Sequence, residues 1–409
     1  MAPDIRPGSL VHGTAVVVSG LKSRADLNGS TGTVLGCHDG RFAVRVTSGD
    51  SVRIKAENLA LKASGPQPVM TDDVASTLQG ATVPQLAWLL IECGPKKEQI
   101  AELILLYACT LFSPEMVEQC PAKWSRNGME NVTAFLRAGG HLGVLSAMAA
   151  HPRNATVQQR GMQQLMTLVV EEVSQALRST DVVNAAGGAA AAVAAMAAHE
   201  RNEEVQTFGC RLLMNLSSSE ARGAETAALS AAKSAVVEAG GVAAFARAIA
   251  AHPGAEEVLW PALGGTAHVL LDHPAAVEAA FAIGLARAVI HVLDGVRRAN
   301  ADVLVQGCLC LAHLAGGDGA GAAAVVGEGA IPALCKVLRA HGHAPSVVES
   351  ACVAMHNLAA HGHAPACREA GALPLVDKAR RDWPTPAVEM LWGALQVQEE
   401  APPSNASKP

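Results

Sequence analysis

The sequence predicts a mainly α-helical chain built from stacked repeats, preceded by one small β domain. Three observations carry that expectation. Ala accounts for 79 of the 409 residues, while Trp, Tyr and Phe together number only 12. A sandwich or barrel of this size would need many more aromatic and β-branched side chains, so an all-β architecture is excluded for most of the chain. A related block of sequence recurs six times between residues 135 and 395. Clean apolar/polar alternation is confined to residues 13–59.

The N-terminal segment comes first. In RFAVRV, Phe42, Val44 and Val46 share one side, and Arg41, Ala43 and Arg45 the other. Val52 and Ile54 alternate with Arg53 and Lys55 in the same way. Asn28-Gly29, Asp39-Gly40 and Ser48-Gly49-Asp50 are turn signals between these runs. Four or five short strands within fifty residues predict a small barrel. With GLKSRADLNGSTGTV (20–34) followed by GRFAVRV and IKAENL, the segment resembles the SH3-like barrel found beside MYND fingers and ankyrin repeats in algal and protist proteins. No finger accompanies it in this sequence.

The repeats follow. FLRAGGHLGVLSAMAAHPRNATVQQRGMQQLMTL (135–168) aligns with VNAAGGAAAAVAAMAAHERNEEVQTFGCRLLMNL (183–216) through AGG, AMAAH and VQ. Further copies start near residues 237, 281, 326 and 367. The second small residue of the signature is placed at Gly140, Gly188, Gly241, Gly284, Ala330 and Ala372, with steps of 48, 53, 43, 46 and 42 residues. In four copies a Val (157, 205, 258 and 347) follows it after 17 residues. Each copy reads as a short helix ending at a small-residue corner, a second helix of about ten residues, a polar turn, and a third helix. Three helices per forty-odd residues resemble the armadillo family, over roughly residues 98–397. That resemblance implies an armadillo-type α-solenoid. The expected division is 1–66 barrel, 67–134 linker and atypical capping helices, 135–400 repeats, and 401–409 a disordered tail. One repeat cannot bury its apolar face alone, so neighbours must stack, and Ala and Gly corners allow close approach.

The resemblance also directs attention to one register of the third helices, which line a peptide-holding groove in the family. Here it reads Thr167, Asn215, His268, His313 and Asn357, aligned through Gly161, Gly209, Ala262, Gly307 and Ala351. An Asn amide both donates to and accepts from a peptide backbone, as a gripping ladder requires. Helix-end or inter-repeat hydrogen bonds are the plain alternative. Nuclear import adaptors pair this Asn with a Trp one turn earlier; those positions are Gln163, Arg211, Gly264, Leu309 and Val353, which disfavours that role. Arg41, Arg45, Arg53 and Lys55 form a possible cationic patch on the barrel, or simply a solvated face.

Other features carry less chemistry. His151, His199, His252 and His341 each follow the second small residue by 11 positions and are expected to cap the second helix. Successive repeats lie about 10 Å apart, too far for those imidazoles to share an ion, and no metal site or cofactor is expected. The two HGHAP stretches (341–345 and 361–365) flank one helix and offer two ligands each. GGDGAG (316–321) lacks a phosphate-loop Lys and reads as a flexible connector. Ten cysteines without a C-x-x-C suggest a reducing compartment, with Cys210, Cys308 and Cys352 as small core residues. Nor does any signal peptide, membrane span or catalytic signature stand out, so a cytoplasmic, non-enzymatic chain is expected.

The charge is divided. Residues 1–66 carry a net +3 within a chain of net −6, leaving −9 on the remainder, which argues against a nucleic-acid partner for the protein as a whole. The expected function is a protein-binding scaffold or adaptor holding a partner's extended peptide or helical segment. A structural subunit of a ciliary or organellar assembly, or a recruitment subunit of a ubiquitin ligase, are the alternatives. The oligomeric state is not legible.

Overall fold

The computed structural model describes residues 3–63, 74–79, 81–111, 129–169, 178–218, 226–295 and 300–396. The expected tail at 401–409 lies outside these residues, as do 67–73, 80 and 112–128 of the expected linker and capping segment. The chain divides into two compact units, Met1–Ala248 and Ile249–Pro409.

The first unit opens with β1 (Ala15–Val18), β2 (Thr31–His38), β3 (Arg41–Val46), β4 (Ser51–Lys55) and β5 (Leu59–Leu61). They form one antiparallel sheet in the order β4-β3-β2-β1-β5. The predicted alternation is what it buries: Phe42, Val44 and Val46 of β3 face the core with Ile54 of β4, and Arg41 and Arg45 face out. The connection before β2 is held by Asn28, whose side chain accepts from Leu21 N (2.9 Å) and donates to Leu21 O (3.0 Å). Strands β4 and β5 stand at the two ends of this order, so the structure shows a five-stranded antiparallel sheet where the sequence suggested a barrel.

This sheet is docked on helices of the same unit. They are α1 (Val74–Gln79), α2 (Val83–Cys93), α3 (Glu98–Leu111), α4 (Met129–Arg137), α5 (Gly140–Ala150), α6 (Ala155–Leu168), α7 (Ser179–Ala185), α8 (Gly188–Ala198), α9 (Glu203–Ser217) and α10 (Thr226–Glu238). The sheet's core continues into Leu142 of α5 and Ala186 after α7, with Leu145 packed against it. His141, fully buried, holds the contact: its Nε2–H donates to Ser9 O at 2.7 Å. Arg137 Nε donates to His12 O at 3.2 Å. The joint spans the corners of two successive repeats.

The repeats are α4-α5-α6 and α7-α8-α9, with α2 packed on α5 and α3 on α6 as second and third helices of an incomplete repeat before them. Helix α11 (Gly241–Ala251) contains the division between the units. The second unit continues with α12 (Glu256–Leu270), α13 (Pro274–Ala282), α14 (Leu285–Asp294), α15 (Ala301–Ala315), α16 (Gly319–Gly327), α17 (Ala330–His341), α18 (Pro345–Leu358), α19 (Ala364–Glu369), α20 (Ala372–Asp382) and α21 (Pro386–Gln396). There α12, α15, α18 and α21 pack in series, as third helices of successive repeats. The fold is a mainly helical, armadillo-type α-solenoid with a small antiparallel sheet at its N-terminal side.

The corner between first and second helix is one residue with positive φ: Gly139, Gly187, Gly240, Gly284, Gly329 and Gly371, at 67–95°. Only glycine takes this conformation without strain. These positions correct the alignment of the fourth copy. Gly284 is the left-handed corner itself and matches Gly139, so the residue equivalent to Gly140 is Leu285. GGDGAG also departs from expectation: it is no connector throughout, because α16 begins at Gly319 and Asp318 caps it by accepting from Gly321 N at 2.7 Å. No single helix among the described residues is long and apolar enough to cross a membrane.

Candidate peptide-binding site

The third helices owe their placement to repeated polar ties. Asn154 and Asn202 cap α6 and α9, accepting from Val157 N (2.9 Å) and Val205 N (3.0 Å). Gln158 Nε2 donates to Met148 O (2.8 Å) and His151 O (2.9 Å), and Gln206 repeats this on Met196 O and His199 O. Each buried amide thereby reaches the Met carbonyl in the last turn of the second helix and adds a second donor to the His carbonyl at its C-cap, which also accepts from Asn154 N or Asn202 N. Lower down, Gly161, Gly209 and Gly307 seat the third helix against the second. A Cβ at Gly161 would lie 2.6 Å from Met148 Sδ, and one at Gly307 2.9 Å from Leu293 Cδ2.

Two of the four in-register histidines act across repeats. His151 and His199 occupy the C-caps of α5 and α8, as the sequence suggested. Their rings, however, reach backward: His151 Nε2–H donates to Gly94 O at 2.7 Å, and His199 Nε2–H to Pro152 O at 3.0 Å. Gly94 is itself the C-cap of α2, so the ring caps the neighbouring repeat and not its own helix. His252 is buried, and His341 stacks on His343 with ring centroids 5.9 Å apart. Among the described residues, no three His, Cys, Asp or Glu side chains converge as metal ligands.

The five ladder residues are not equivalent in place. Thr167 is buried and its hydroxyl donates back to Gln163 O at 3.1 Å. Asn215 is half-buried near the end of α9. His268 is exposed on α12, while His313 on α15 and Asn357 on α18 are half-buried. Asn357 Nδ2 donates to Ala312 O at 2.9 Å, an inter-repeat bond joining α18 to α15. The structure brings His313 and Asn357 together on one cleft of about 1060 Å³ in the second unit, with Leu270, Phe281 and Ala324 also lining it. The cleft escaped sequence reasoning; its signal is the run of small residues from Gly316 to Ala324.

On the sheet, Arg41 pairs in register with Lys55, and Ala43 with Arg53. All four cationic side chains are exposed. Arg53 lies 3.8 Å from Asp39 and Lys55 3.5 Å from Glu57, so acids adjoin two of the four. Six thiols, at Cys210, Cys308, Cys310, Cys335, Cys352 and Cys367, are buried in the helices. Loss of solvent pushes Cys308 and Cys352 up to about 12, which leaves them protonated and poorly nucleophilic.

The repeat helices, their glycine corners and their stacked third helices are the features by which a known repeat is recognised. Residues 320–360 match the Armadillo/beta-catenin-like repeat family. The matched stretch runs from the start of α16 to just past α18, one complete armadillo repeat. Two engineered proteins of known structure share the fold. One is 19% identical with a TM-score of 0.53, covering 68% of this chain and 97% of its own. The other is 18% identical with a TM-score of 0.58, covering 79% and 70% respectively. A designed armadillo repeat protein, 17% identical over 76% of this chain and 99% of its own, is a looser likeness at 0.43. No curated protein matches the chain.

Proposed function

We propose that the chain is a non-catalytic scaffold whose armadillo repeats hold an extended peptide of a partner protein along their third helices. The observation that supports this best is in the second unit. There α12, α15 and α18 lie side by side, and polar residues of one register, His268, His313 and Asn357, sit exposed or half-exposed on them. Asn and His side chains can satisfy the backbone of a strand that has no neighbouring strand. The Asn357 amide already serves α15, so its oxygen is the part suited to accept from a guest.

Panning a phage-displayed random dodecapeptide library on the full chain, then measuring the enriched peptides by fluorescence anisotropy, tests this. Binding that falls at least tenfold in an Asn215→Ala, His268→Ala double variant of unchanged melting temperature supports the reading. Failure to enrich any peptide, or unchanged affinity in that variant, removes it.

A further inference from the structure

The cleft of the second unit has a cause that can be read residue by residue. In it the first helices of two successive repeats, α13 and α16, face one another. Helix α13 presents Val277 and Phe281, four residues apart and so on one face. The facing side of α16 offers only Ala320, Gly321 and Ala324, one turn apart. Side chains that would close the seam between the two helices are missing from one wall. Gly321 is small for a reason: a Cβ there would come 2.7 Å from Leu314 O and 3.4 Å from the Phe281 ring. The result is about 1060 Å³ of open space, just above the roughly 300–1,000 Å³ of sites that bury a drug-sized ligand. Its rim holds Leu271, which is 42% exposed.

Charge decides what fits. Among the described residues the lining contains four carboxylates, Asp272, Glu278, Asp318 and Glu328, two histidines, His273 and His313, and no Lys or Arg. Two of the four are occupied: Asp318 caps α16, and Glu328 is held by Arg287 at 2.8 Å. Asp272 and Glu278 pair with no cation among the described residues. An apolar floor under two unneutralised carboxylates complements a bulky apolar side chain beside a positive charge, and repels an acidic guest.

We propose that this cleft is a specificity pocket for a short partner segment carrying an aromatic or Leu side chain next to Lys or Arg. The apolar group enters between α13 and α16, and the cation lies against Asp272 and Glu278. This rests on the protein-binding reading above and names the chemistry of the partner.

The test uses peptides selected on the full chain by the same panning, measured against three variants. Ala324→Trp fills the space from an exposed helical position. Asp272→Asn keeps a residue type that tolerates its positive φ (54°) while removing the charge, and Glu278→Gln does the same on α13. The expected pool is enriched in Lys or Arg within two positions of Phe, Trp or Leu. The Asn/Gln double variant should weaken binding about tenfold and flatten its dependence on salt, and Ala324→Trp should abolish it with the melting temperature unchanged. Neutral or acidic peptides in the pool, or undiminished binding to Ala324→Trp, overturn the proposal. If binding is lost only in the Asn215→Ala, His268→Ala variant, the scaffold reading stands and this pocket does not. A concentration-dependent dimer abolished by Ala324→Trp in light scattering would also overturn it, giving the cleft to a second copy.

Discussion

Burial disfavours the charged form of an imidazole, and His141 makes that a property of the whole sheet-to-helix joint. Loss of solvent pulls its pKa from 6.5 down to about 4, only partly opposed by the bond to Ser9 O, and Nδ1 has no partner among the described residues. Unfolded, this group takes up its proton near pH 6.5; folded, it resists until about pH 4. Its contribution to stability is therefore complete above pH 6.5 and is lost as the pH falls from there toward 4, by up to about 1.4 kcal/mol per unit. Denaturant unfolding at pH 7 and pH 5 checks this, and His141→Gln should flatten the difference. His141 also shows what a single residue reveals beforehand. The matching positions in other repeats are Ala189, Val242, Ala286, Ile331 and Leu373. A polar side chain at an otherwise apolar repeat position was the available sign that something docks there. Periodicity alone could not say what, because the partner carbonyl lies 132 residues away.

Helices find their register here through absence of bulk. At Gly209 a side chain would collide with Met196, so Gly209→Val should cost about 1–3 kcal/mol by overpacking. A Gly209→Val, Met196→Ala double variant should recover part of that, as measured by denaturant midpoints. Gln206→Ala removes the side-chain donor to the Met196 carbonyl and one of the two donors to the His199 carbonyl, and is expected to cost a comparable amount, about 1–3 kcal/mol. This level was the most legible in the sequence. The AGG corners, the Asn caps and the VQ pair recur as words in the first two copies, where each performs the same local task. The fourth copy escaped correct alignment because Leu285 replaces the second glycine, leaving Gly284 as the only small residue to align on. The cleft between α13 and α16 was illegible for a different reason. It depends on which side chains two distant helices lack at the place where they face each other.

For the first compact unit taken whole, the sheet and the helices share one apolar core. Deleting residues 1–63 would expose Leu142, Leu145 and Ala186 to water. The expected outcome is a lower calorimetric melting temperature for the truncated chain and faster proteolysis around α5. An unchanged melting temperature would show that the sheet is carried without being needed. The charge of the sequence marks a basic segment followed by acidic repeats but gives no sign of the joint.

That joint has a mechanical meaning. A stack of repeats behaves as a spring whose compliance lies in the small rotations between neighbours. In the first unit the sheet grips the corners of two successive repeats, with Arg6 beside Gly187 and Leu61 against Gly139. Corners Gly284 and Gly329 in the second unit have nothing within 4 Å of where a side chain would begin. A twist between the two gripped corners would therefore also have to strain the sheet, whereas no third element stands against the corners at Gly284 and Gly329.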